Sequence, residues 1–252
     1  MKIAFFDSGI GGLSVLKTAL ATLPTADYIY YADSDNAPYG IKSPTQVRQL
    51  SERAVAFLAD LHIDALVVAC NTATAVAGER LRARYDFPII GMEPAVKPAT
   101  LHQTGKQIAV TATSLTLGEK KLGNLISALQ IGEQIDKIDL DRLVVFAERF
   151  EFDSPAVRAY LANQLANVSA ASHDVLVLGC THFVFYKALI QAQVGAGVKV
   201  IDGNQGTVNH LLNSLNATAQ PTSAGTVRFY ASGVLDSPAR SRQLRALLAL
   251  EN

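Results

Sequence analysis

The chain has 252 residues, 49% of them hydrophobic, with 22 Lys+Arg against 22 Asp+Glu, no Trp and two Cys. That length allows one large domain or two of similar size, and zero net charge with 17% charged residues excludes a disordered chain. It also leaves no excess of Lys or Arg to neutralise a phosphate backbone, so nucleic acid is not an expected partner. Cys70 and Cys180, 110 residues apart and in no CxxC or HExxH spacing, make neither a disulfide framework nor a metal site. No segment approaches the roughly 20 apolar residues of a membrane span. The N-terminus has no cleavable leader pattern, which fits a reducing cytoplasm where thiols stay free.

In chain order, short apolar runs alternate with segments of helical period. Lys2 to Phe6, Asp27 to Ala32, Asp64 to Ala69 and Phe87 to Ile90 read as buried strands with helices between them. Thr45 to Leu61 is the clearest helix, its apolar residues recurring every three or four positions behind an N-cap at Ser43 and Pro44 at the first helical position. After Pro94 and Pro98 come strand Gln107 to Thr111, helix Glu119 to Leu129, strand Gln134 to Ile138 and helix Pro155 to Val168. Strand Asp174 to Leu178, helix Phe183 to Gln193, strand Val198 to Ile201 and helix Thr207 to Leu215 follow. Strand Thr226 to Ala231 and helix Pro238 to Leu250 close the chain. Such alternation predicts an α/β fold with mostly parallel sheets.

An internal repeat refines this. Asp64 to Cys70 (DALVVAC) matches Asp174 to Cys180 (DVLVLGC) at four of seven positions, 110 residues apart, and Ile3-Ala4-Phe5 parallels Ile108-Ala109-Val110. The chain therefore reads as two similar, pseudo-two-fold-related α/β units facing each other across a cleft, each placing a cysteine directly after a buried strand. The expected division is residues 1–96 plus 208–252 for the first domain and 97–207 for the second.

Ligands of open α/β sheets bind beyond the carboxyl ends of the strands. Four polar clusters fall there: Asp7-Ser8-Gly9, Asp33 with Pro38-Tyr39-Gly40, Cys70-Asn71-Thr72, and Cys180-Thr181-His182. A buried free cysteine is commonly only a small apolar filler. Two at equivalent positions of a repeat, each followed by polar residues, point to chemistry. Two thiols across a cleft fit racemisation, one removing an α-hydrogen as thiolate while the other protonates the opposite face. Donors such as Asn71, Thr72 and Thr181 would then hold the carboxylate of the reacting amino acid. Each member of the set has a structural alternative: Asp7-Ser8 as a helix cap, Tyr39 as packing, Gly40 as a turn, His182 as a local cap. Cofactor signals are absent, since Ser14 stands where GxGxxG has its third glycine and Ile41 interrupts the phosphate-loop echo at 36–43.

FDSGIGGLSVL (6–16), PYGIKS (38–43), VVACNTATA (67–75), GMEPA (91–95), LGCTHF (178–183) and VIDGN (200–204) together resemble the glutamate racemases of the aspartate/glutamate racemase superfamily. The resemblance covers most of the chain, and CNTA with GCTH at this separation is its specific part. It implies a cofactor-independent enzyme making D-glutamate for peptidoglycan, and hence cell-wall biogenesis and cell shape. By that resemblance Cys70 serves the D-enantiomer and Cys180 the L-enantiomer, assisted by Asp7 and His182. Asp7, Ser8, Tyr39, Gly40, Asn71, Thr72, Thr181 and His182 would hold glutamate, Thr113 and Thr116 being further candidates. A homodimer is also implied. The sequence departs from the family pattern at LDRLVVFAE (140–148), where Glu148 takes the place of a helper glutamate, and at Val184, where a proline is usual. An aspartate or broad-specificity racemase and a catalytically silent metabolite-binding paralogue are the competing readings.

Overall fold

The computed structural model describes residues 1–215 and 225–249. In chain order the first unit contains β1 (Lys2–Asp7), α1 (Leu13–Thr22), β2 (Asp27–Ala32), α2 (Pro44–Asp60), β3 (Ala65–Val68), α3 (Asn71–Arg84) and β4 (Ile89–Gly91). The chain continues through α4 (Val96–Thr100), β5 (Gln107–Ala112), α5 (Ser114–Gly118), α6 (Lys120–Ala128), β6 (Ile135–Asp139), α7 (Asp141–Glu148) and α8 (Pro155–Gln164). Then come β7 (His173–Leu178), α9 (Lys187–Val194), β8 (Lys199–Asp202), α10 (Asn204–Leu215), β9 (Val227–Ala231), β10 (Val234–Leu235) and α11 (Pro238–Ala249).

The strands form two sheets, one of six in the order β10-β9-β2-β1-β3-β4 and one of four in the order β6-β5-β7-β8. Every pairing is parallel except β10 with β9, as expected of strands joined by helical crossovers. The inner order β2-β1-β3-β4 and the whole second sheet have the same connectivity. The repeat seen at Asp64 and Asp174 is thus a repeat of topology, with β1 matching β5 and β3 matching β7. Strand β10, two residues long, is too short to carry an alternation and has no signal in the sequence.

Strands buried on both faces explain the continuous apolar runs. Ile3 and Phe5 of β1 point into an apolar cluster that continues through Ala109, Leu176 and Leu178 of the second sheet, while Ala4 and Phe6 point into a second cluster under α2 and α3. A third cluster under α6 contains Ile108, Val110, Val175 and Val177. The shared first cluster ties the two units together. Helix α2 starts where expected: Ser43 Oγ accepts from Gln46 N, and the Gln46 side chain returns to the Ser43 backbone.

Several boundaries move. Helix α8 stops at Gln164 rather than Val168, and α10 starts at Asn204 rather than Thr207 because Asp202 Oδ1 accepts from Asn204 N and turns the chain into the helix early. The helix expected from Phe183 divides into a 3-10 segment, Thr181–Tyr186, followed by α9. Leu250 lies outside the described residues.

Candidate active site

The two cysteines stand two residues beyond equivalent strand ends. Ala69 N donates to Phe6 O across β3 and β1, and Gly179 N donates to Thr111 O across β7 and β5, at 2.8 and 2.6 Å. Only glycine fits at 179, since a Cβ there would come within 2.6 Å of Thr111 O. The following residue in each unit is the thiol. Cys70 is the N-cap of α3, its Sγ accepting from Ala73 N at 3.4 Å. Cys180 instead precedes the 3-10 segment, with no side-chain cap, so only one thiol sits at an α-helix N-terminus.

Each thiol has its own proton partners. Cys70 Sγ donates to Ser8 Oγ at 3.7 Å, and Ser8 Oγ donates to Asp7 Oδ1 at 3.4 Å. Asp7 is fully buried at the end of β1 and also accepts from Gly9 N at 2.9 Å and from Thr181 Oγ1 at 3.0 Å. Cys180 Sγ lies 3.8 Å from His182 Nδ1, and His182 Nε2 lies 2.7 Å from Glu148 Oε1, which accepts from Ile10 N at 2.7 Å. Helix α7 carries Glu148 as its last residue and is the element that brings it there.

The electrostatics of the two sides differ. Burial, then the Asp7 carboxylate, push the Cys70 thiol up to about 12, against which the Ala73 and Ser8 hydrogen bonds act weakly. Burial also raises Asp7 above the usual carboxylate range, outweighing the opposing effects of His182 and the Gly9 and Thr181 hydrogen bonds. Burial alone would depress His182, but the hydrogen bonds to Cys180 and Glu148 prevail and hold it well above the ordinary imidazole value. Glu148 is correspondingly lowered: its own burial acts upward and is outweighed by His182 and the Ile10 amide. One thiol is therefore uncharged beside a carboxylate, while the other faces a buried imidazolium.

The glycines of the 9–12 turn are required by the opposite wall. A Cβ at Gly9 would meet Glu148 Oε1 at 1.8 Å, and one at Gly11 would meet His182 Nδ1 at 2.3 Å. The helix after this turn is capped by Gly12 without a side-chain bond, so Asp7 and Ser8 do not cap it. Thr72 Oγ1 lies 3.1 Å from both Thr113 Oγ1 and Thr116 Oγ1, a hydroxyl cluster built from both units. Asn71 Nδ2 reaches Met92 O at 3.4 Å, and its buried Oδ1 has no protein partner. Tyr39 is buried, its hydroxyl donating to Asp33 Oδ2 at 2.6 Å, and Gly40 lies against Thr113. The twelve residues proposed from sequence thus lie at strand ends or in the first turns of the segments that follow them, Asn71 and Thr72 opening α3 and Thr181 and His182 the 3-10 segment. Among the described residues no cluster of His, Cys, Asp and Glu is placed to hold a metal ion.

The family model for Asp/Glu/Hydantoin racemase matches residues 13–211. The chain belongs to this racemase family. A glutamate racemase of Halothermothrix orenii is 46% identical over 239 residues, covering 94% of each chain. The structure of the Campylobacter jejuni glutamate racemase matches over 100% of both chains with TM-score 0.84 at 28% identity. That of the Escherichia coli glutamate racemase, in complex with L-glutamate and the activator UDP-MurNAc-Ala, matches 98% of this chain and 93% of its own with TM-score 0.82 at 28% identity.

Within this racemase fold, the resemblance puts Glu148 in the place of the helper glutamate, although the pattern before it departs from the motif. Nothing in its local sequence announces that it reaches both Ile10 N and His182, because those contacts span 138 and 34 residues. The Asp33 to Tyr39 bond, between residues only six apart in the same cluster, is set by how the loop after β2 folds back and has no signal of its own in the sequence.

Proposed function

We propose that this chain is a glutamate racemase, an isomerase that interconverts L- and D-glutamate without a cofactor by a two-cysteine, two-base mechanism. The observation that carries the reading is the pair of thiols at equivalent ends of β3 and β7, each with a different proton partner. The names and coverage of the relatives support glutamate as substrate.

In the direction from L-glutamate, Cys180 takes the α-proton with the His182 imidazolium beside it, and Cys70, held as a thiol, delivers a proton to the opposite face. In the reverse direction Cys70 must first lose its proton. Ser8 Oγ is the acceptor on its Sγ, and Ser8 passes its own proton to Asp7, whose raised affinity suits it to hold one. The carbanion-like transition state needs donors at the carboxylate. Thr72 and the backbone amides of the strand-end turns supply them, while Thr181 Oγ1 holds Asp7. Asn71 Oδ1, buried and without a protein partner, is an acceptor for the substrate ammonium group. Buried Tyr39-Gly40, packed against Thr113, offers backbone groups to the substrate.

The same reading takes residues 1–96 with 208–252 as one domain and 97–207 as the other, with the active site between them. It places the enzyme in the cytoplasm as a homodimer, supplying D-glutamate for peptidoglycan. Exchange of either thiol tests the assignment: Cys70→Ser and Cys180→Ser should each lower racemisation by at least about a hundredfold while circular dichroism stays unchanged. Full activity in either variant would refute the two-base mechanism.

A further inference from the structure

Asp33 is a buried carboxylate that the reaction as described does not use. It stands one residue beyond β2, is 3% exposed, and its backbone NH donates to Asp7 O at 3.0 Å, directly behind the Cys70 side of the site. Its oxygens collect three neutral donors from three separate places. Oδ2 accepts from Tyr39 Oη at 2.6 Å, and Oδ1 accepts from Asn36 Nδ2 at 3.0 Å and from Ser232 Oγ at 2.9 Å. Ser232 lies in the turn between β9 and β10 with φ 45°, a left-handed conformation that non-glycine residues rarely adopt. Its hydroxyl also accepts from Asp35 N at 3.1 Å, and its own NH donates to Ala32 O at 2.8 Å. A strained residue is thus bound at three points around a buried carboxylate, an arrangement that clusters at functional sites.

Two further contacts say what this cluster holds. The Tyr39 ring stands edge-on to Phe6 at 6.3 Å between centroids, and its hydroxyl is occupied by Asp33. What Tyr39-Gly40 presents to a ligand is therefore backbone. Gly40 approaches the second unit so closely that a Cβ would lie 2.8 Å from both Thr113 Cβ and Asp141 Oδ1. Thr113 is in turn bonded to Thr72 in the hydroxyl cluster.

We infer that Asp33 is a positioning residue for substrate binding: by clamping Tyr39 to Ser232 it fixes the Tyr39-Gly40 turn against Thr113, where the two units close. The inference rests on the reading of Tyr39-Gly40 as part of the glutamate site. Loosening the clamp leaves both thiols and their proton partners in place, so binding should suffer and chemistry should not.

Steady-state racemisation of both enantiomers by Tyr39→Phe, Asp33→Asn and Ser232→Ala tests this. KM should rise about tenfold in Tyr39→Phe and Asp33→Asn, and by a smaller factor in Ser232→Ala, with kcat within about threefold of wild type. The double variant Tyr39→Phe/Asp33→Asn should be no worse than the poorer single variant, because both remove one interaction. An unchanged KM with only a lower Tm would overturn the inference and leave Asp33 a stabilising residue. So would loss of kcat at unchanged KM. If Asp33→Asn does not fold, the other two variants, which each remove one hydroxyl, decide the matter. A wild-type protein that binds glutamate without racemising it would reject the catalytic reading alone, and the same ranking is then read in Kd by calorimetry.

Discussion

Burial and the Asp7 carboxylate act on Cys70 in the same direction, so removing the charge of Asp7 should ease ionisation of the thiol. In a Cys180→Ser background, the pH at which Cys70 reacts half-maximally with iodoacetamide should fall when Asp7 is changed to Asn; an unchanged profile would remove Asp7 from the electrostatics of that thiol. The other side works oppositely. His182 is held charged above its ordinary value, so the stability its pairing gives is complete below about pH 6.5 and is lost as pH rises through the raised value. Glu148→Gln removes one of the groups that raise it and should shift that loss, seen in Tm against pH, to lower pH. The alkaline limb of kcat/KM from L-glutamate should move the same way. At this scale the residue types were legible, and so, through the resemblance, was the help of Asp7 and His182, but the more distant partners were not. Cys70, Cys180, Asp7 and His182 stand out beside strand ends, whereas the reach of Glu148 to Ile10 depends on how α7 lies against the turn after β1.

At the scale of elements, the glycine-rich turn between β1 and α1 is a contact surface for the other unit. Gly11→Ala would drive a Cβ to 2.3 Å from His182 Nδ1 and should cost both activity and stability. Gly123 in α6 is the contrast: a Cβ there meets nothing within 4 Å, so Gly123→Ala should raise stability by about 0.5–1 kcal/mol through helix propensity and leave kcat unaltered. Calorimetric Tm values of the two variants should therefore move in opposite directions. Elements were read well from sequence where burial on both faces gives an uninterrupted apolar run, as in β1, β3 and β7. They were read less well where a side chain rather than periodicity sets the boundary, as at Asp202 before α10, or where the repeat breaks, as in the 3-10 segment after Cys180.

On the scale of the molecule, the two sheets share the order seen in β2-β1-β3-β4 and β6-β5-β7-β8, and the six-stranded one is extended by β9 and β10 from the end of the chain. The duplication was visible in the sequence because a strand-end cysteine recurs after 110 residues. The opposite electrostatic settings of the two sulfurs were legible too, once the resemblance put Asp7 beside one and His182 beside the other; the hydrogen bonds that build those settings were not. Asp7 and Ser8 reach Cys70 from 62 or more residues away, whereas His182 is local to Cys180 and only Glu148 behind it is distant. A two-base enzyme needs this asymmetry, because at any moment one thiol must give a proton while the other takes one. The hydroxyl cluster of Thr72, Thr113 and Thr116 and the shared apolar cluster join the two units that carry these settings.

The most direct test of the account is incubation of the wild-type protein with L-glutamate, and separately D-glutamate, in deuterated water, following optical rotation and α-deuterium content together. Two bases on opposite faces predict that the product enantiomer carries solvent deuterium from its first appearance, while the remaining substrate stays largely protiated. Deuterium entering substrate and product equally from the start would indicate a single exchanging base, and inversion without deuterium uptake would remove the thiols from proton transfer; either result contradicts the mechanism.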